Sequence, residues 1–130
     1  MNARGLLIAA CLSGGLAVIL GAFGAHGLKG KLTPEALASF DVGVRYQFIH
    51  ALAIFAAVWL ADRLGVRLPL TSGWFFVAGT VLFSGSIYLL ATRGLLGIES
   101  WRWLGPVTPL GGLCFIIGWV LLLVATVRSA

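Results

Sequence analysis

Three stretches of this chain carry no fixed charge at all: Gly5 to Leu28, Leu68 to Thr92 and Trp103 to Val127. Each exceeds the roughly 20 residues an α-helix needs to cross about 30 Å of hydrocarbon. A fourth run, Tyr46 to Ala61, has 16 residues and spans only about 24 Å at 1.5 Å per residue. It becomes long enough when its helix starts near Asp41 and Arg45 snorkels to the headgroups. The apolar runs are continuous rather than alternating, which selects helices over barrel strands. The expected fold is an all-α membrane protein: a four-transmembrane-helix antiparallel bundle forming one integral membrane domain over 1–130. Its spans are expected at about 5–25, 43–61, 69–92 and 104–127.

Composition closes off the soluble alternative. The chain is 60% hydrophobic and 10% charged, against about 25% charged in an ordinary soluble domain. Its formal net charge of +5 has anionic lipid headgroups as its natural partners, because the basic residues sit in caps and loops. Nucleic acid is excluded as a partner on the same ground. Residues 1–24 also have the outline of a signal peptide, with Arg4 as its charged start and Ala22-Phe23-Gly24 as a cleavage site. A retained first span is the expectation. Arg4 directly precedes that span, which favours both termini in the cytoplasm, although the plain count of Lys and Arg, four against five, decides nothing.

Only one connection, 26–42, is long, and it has structure of its own. In "LTPEALASFDVG", Thr33 suits an N-cap, Pro34 the first helical position and Glu35 the positive end of the helix dipole. Leu37, Phe40 and Val44 recur at helical spacing. This predicts a short amphipathic interfacial helix between helices 1 and 2, with Asp41 and Arg45 paired on one face. Trp59, Trp74, Trp101 and Trp103 mark the membrane interfaces; Trp119 lies deeper, where its indole N–H needs a partner.

Lipid is as apolar as leucine, so close backbone approach must hold the helices together, and small residues permit it. Helix 1 offers Ala9, Ser13, Ala17, Gly21 and Ala25, each four apart, and Gly24 follows in "GAFGAHGLKG". Ser84, Gly85 and Gly118 are the corresponding packing candidates on helices 3 and 4. The expectation is a bundle with helix 1 as its central contact and Gly21→Leu as its most damaging enlargement.

The same glycine-rich stretch matches neither a Walker loop nor a dinucleotide fingerprint, since it ends a membrane helix instead of opening one after a strand. The chemistry-bearing candidates are His26, Arg45, Tyr46, Gln47 and His50, because ionisable groups within a membrane are costly and point to function. Tyr46, Gln47 and His50 would form a polar cluster near one membrane face, with Arg45 at its rim. Alternatively they hydrogen-bond one another and the backbone, fixing the register of helices 1 and 2. An intramolecular haem pair fits poorly, since His50 should lie about 10 Å deeper than His26; a His50 pair across a dimer stays open. Cys11 and Cys114 fall at depths of roughly 9 and 20 Å, too far apart for a disulfide. No catalytic set and no metal spacing appears, so no metal and no cofactor is expected.

"GAFGAHGLKG", "GVRYQFIHALA", "VLFSGSIYLL" and "GPVTPLGGLCFIIGW" resemble the signature segments of the YgdD-like family. These are small bacterial inner-membrane proteins of unknown function, with a mitochondrial membrane relative in animals. The resemblance covers nearly the whole chain in the right order. It implies four spans and an extramembrane first loop, and it brings no activity or catalytic residue. Three functions fit the residues. The first is a non-enzymatic inner-membrane module that packs with itself as a homo-oligomer or within a larger membrane complex. The second is a lipid- or quinone-binding protein whose pocket at the mouth of helices 1 and 2 is lined by Arg45, Tyr46, Gln47, His50 and the glycine edge. The third is a small transporter or channel.

Overall fold

The structure, a computed structural model, describes residues 2–129. Four helical runs are long and apolar enough to cross a membrane: Ala3–Gly27, Pro34–Leu64, Leu68–Ala91 and Leu104–Arg128. The first is α1 (Ala3–Ala22) continued by a π-helical turn at Phe23–Gly27. The second is α2 (Pro34–Leu64). In the third, α3 (Leu68–Gly79) passes through another π turn, Thr80–Ser84, into α4 (Gly85–Ala91). A single turn, α5 (Arg93–Leu96), leads to α6 (Leu104–Arg128), the fourth span.

Local signals explain the ends of α2. The Thr33 hydroxyl accepts the Ala36 N–H at 3.2 Å, and Pro34 occupies the first turn, where its missing N–H costs nothing. At the other end Gly65 adopts φ +66°. The Gly65 and Val66 N–H groups then bond back to Asp62 and Ala61, closing the helix in a Schellman pair.

Residues 34–42 are helical as the capping signals require, but they form no separate interfacial helix. Nothing between Asp41 and Arg45 breaks the chain, and α2 runs on unbroken for 31 residues, about 46 Å. The apolar face expected to lie on lipid is packed on protein. Phe40 is buried, its ring in contact with Tyr88 and against Gly24, while Val44 faces Gly21.

The four spans pack as an open row rather than a closed square. α1 lies along α2 and reaches α3 at its N-terminal end; α2 also packs on α3, α4 and the π turn between them; α6 packs on that same third span. Between α1 and α6 there is no substantial contact. Helix 1 is therefore an edge of the bundle, not its centre. The every-fourth-residue ladder misled because four residues overshoot a 3.6-residue turn by about 40° per step. Ala25 has rotated to an exposed position, and the buried line of α1 runs instead through Leu6, Ala10 and Ala17.

Aromatic rings seated on glycines lock the row together. A Cβ on Gly79 would meet the Phe115 ring at 2.5 Å, and one on Gly118 would meet the Phe76 ring at 2.5 Å. The third and fourth spans thus exchange rings antiparallel, each Phe filling the other's glycine notch. Gly111 is pressed against the Phe83 backbone in the π turn, and Gly73 and Gly43 receive Leu6 and Tyr88. Gly24 meets Phe40 at 2.9 Å, whereas Gly21 meets only Val44, at 3.3 Å. Gly85 is not a close-packing position, because a Cβ there would meet nothing within 4 Å.

Candidate functional site

The five candidate residues do not converge. Their backbones are consecutive turns of α2 and the end of the first span, yet each side chain finds a different neighbour. His26 stands exposed on the first π turn. Arg45 is exposed and closes on Asp41 at 2.7 Å, an i,i+4 ion pair on the outer surface of α2. A pair so open to its surroundings contributes only a few tenths of a kcal/mol.

Gln47 is buried and ties three spans. Its amide donates to the Ser13 carbonyl of α1 at 2.9 Å. Its carbonyl accepts the Tyr88 hydroxyl of α4 at 2.6 Å. One turn away on α4's approach, Ser84 donates to the Gly43 carbonyl at 2.7 Å. Ser13, a packing candidate, contributes its carbonyl to this network, while its own hydroxyl is buried without a partner.

His50 belongs to a second network, on the side of the fourth span. Its Nδ1 lies 2.7 Å from the Tyr46 carbonyl, and its Nε2 lies 3.2 Å from the Trp119 indole nitrogen. An indole N–H only donates, so Nε2 must accept and the ring proton must sit on Nδ1, which donates to Tyr46. The neutral imidazole is then fully satisfied. It stacks on Phe115 with ring centroids 3.6 Å apart and 7° between planes. The Tyr46 ring covers the neighbouring surface, 4.7 Å from Phe83, and remains partly exposed.

This arrangement corrects the pocket expected at the mouth of helices 1 and 2. A depression of about 380 Å³ does lie there, between Gly21, Gly24, Lys29, Phe40, Asp41 and Val44. Arg45, Tyr46, Gln47 and His50 do not line it. A metal at His50 would have to displace the Trp119 indole. Among the described residues no group of three or more His, Cys, Asp or Glu is gathered for metal binding. Cys11 and Cys114 are both free thiols.

Residue spacing had singled out His50 and Gln47, but not Tyr88, the phenol that completes the Gln47 network. The signal was present: a phenol within the apolar run "SIYLLA" needs a hydrogen-bond partner inside the membrane.

Comparison with known proteins adds a family. The family model described as Protein of unknown function (DUF423) matches residues 20–112. The UPF0382 membrane protein YwdK of Bacillus subtilis (strain 168) is 47% identical over 114 residues, covering 87% of this chain and 88% of its own. The UPF0382 membrane protein SAB0533 of Staphylococcus aureus (strain bovine RF122 / ET3-1) is 36% identical, covering 95% of this chain and 96% of its own. The UPF0382 inner membrane protein YgdD of Escherichia coli (strain K12) is 40% identical over 131 residues, covering 98% of this chain and 93% of its own. No solved structure matches. With relatives aligned from end to end and four spans in place, the chain belongs to the DUF423 family of multi-pass membrane proteins of unknown function.

Proposed function

We propose that the protein is a non-enzymatic membrane module that packs with itself or within a larger membrane complex, using the outer side of α1. The observation that carries this reading is the open row: α1 sits at an edge, without substantial contact with α6, and is the least buried of the four spans. Its outer side includes a glycine, Gly15, where a Cβ would meet nothing within 4 Å. Cys11, one turn earlier, is exposed as well. A bare glycine brings no packing to its own bundle but lets another helix backbone come close. Against a pore stands the use of the buried polar side chains, since Gln47, Ser72, Ser84 and Ser86 are each tied into helix-to-helix hydrogen bonds.

The test is oxidative cross-linking in native membranes. Cys114 lies on α6, away from α1, so a disulfide at Cys11 reports contact between copies. A cross-linked dimer that disappears with Cys11→Ala and weakens with Gly15→Leu is the expected result for self-packing. Gly15→Leu leaves the monomer intact because nothing occupies that space. A chain that stays monomeric in membranes, recovers no stoichiometric partner in mild detergent and is indifferent to Gly15→Leu would overturn the proposal.

A further inference from the structure

A cleft of about 860 Å³ opens on the membrane face opposite the termini, and none of the five candidate residues lines it. Three elements wall it: the first turns of α2, the α4–α5 junction, and the start of α6. Its throat is apolar, with Val42, Ile87 and Leu90 among its walls, and its rim carries Lys31, Arg93 and Glu35. Lys31 and Arg93 are exposed, and among the described residues neither side chain has an ion-pair or hydrogen-bond partner. Arg45 differs, being spent on Asp41. At the floor the Thr108 hydroxyl is already held by Ser86 at 2.6 Å. The polar demand of the cleft therefore lies at its mouth and its apolar demand within.

The geometry points to a binding site for one monoanionic glycerophospholipid, its phosphodiester between Lys31 and Arg93 and its acyl chains along the throat. The elements that build the mouth all end where a bilayer places its phosphates, at the termini of spans. Charge selects among lipids. Lys31 and Arg93 against Glu35 leave the rim at +1 (two positive, one negative). A monoanionic headgroup neutralises that; a zwitterion leaves it uncompensated, and a dianion overshoots. A glycerol headgroup also supplies hydroxyls that can donate to the Glu35 carboxylate.

The test uses the full chain in mild detergent, with native mass spectrometry of retained lipid after addition of phosphatidylglycerol, phosphatidylethanolamine or phosphatidylcholine. Phosphatidylglycerol should be retained one per chain in preference to the other two. Each basic residue near a headgroup favours anionic lipid by roughly five-fold, so Lys31→Gln with Arg93→Gln should erase a preference of roughly 30-fold. Arg102→Gln, a basic residue outside the cleft but on the same face, should leave it standing, and Glu35→Gln should raise it. All four are surface changes that leave helix packing untouched. Equal retention of the three lipids by the wild type would overturn the site. So would an equal loss in Arg102→Gln and the double variant, which would mean diffuse attraction to the whole face.

Discussion

His50 shows how a residue that looks chemical can be structural. Burial alone would leave its role open, but the donor-only indole of Trp119 forces Nε2 to accept and Nδ1 to carry the proton. Nitrogen-15 NMR of the labelled histidines should therefore find His50 as the Nδ1–H tautomer. An Nε2–H signal would mean the Trp119 bond does not exist. Trp119→Phe keeps the apolar body and removes the N–H, and should cost about 0.6 kcal/mol, the average for such bonds inside membranes, and no more than about 1.7 kcal/mol. His50→Ala should cost more, on the order of 2–4 kcal/mol, because it also vacates the stack on Phe115. The sequence displayed Tyr46, Gln47 and His50 as helical neighbours, and so suggested one cluster. Their true partners lie 41 and 69 residues further along, a distance that spacing within one helix does not encode.

At the scale of elements, α2 is the hub, because its side chains bond to all the other spans. Gln47 joins it to α1 and α4, and His50 joins it to α6. Gln47→Leu should destabilise the protein, since it strands the Tyr88 hydroxyl in an apolar interior. Tyr88→Phe in that background should recover part of the loss. A double-mutant cycle in detergent unfolding should give a coupling of about 0.6 kcal/mol, and no more than about 1.7 kcal/mol, and additive effects would show the two side chains act separately. The number of apolar helical runs and the Thr33 cap were legible because each rests on local chemistry: charge gaps, helix length and capping. Two element-scale features were not. The continuity of α2 depends on Phe40 finding Gly24 and Tyr88, a contact between three distant segments. The π turn at Thr80–Ser84 likewise has no signature in its own residues; it brings the Phe83 backbone against Gly111.

For the whole molecule, the question is where stability is concentrated. The small-residue ladder of α1 suggested the first span, with Gly21 as its most sensitive point. The packing places it elsewhere, in the exchange of Phe76 and Phe115 between Gly118 and Gly79 and in the contact of Gly111 with a neighbouring backbone. A ring can shift by a rotamer change, but a backbone cannot, so Gly111 should be the least tolerant of all. Gly111→Val, Gly118→Leu and Gly79→Leu should each cost at least about 1–3 kcal/mol, as overpacked cores do. Gly21→Leu should cost less than any of them, because its first obstacle is a single methyl of Val44 at 3.3 Å on an edge helix. Gly85→Ala should be neutral or gain up to about 1 kcal/mol from helix propensity, having open space to enter. Thermal unfolding of the five variants in one detergent measures this order directly. If Gly21→Leu proves as damaging as Gly111→Val, α1 belongs to the centre of the fold after all, and its outer face is not free to serve another helix.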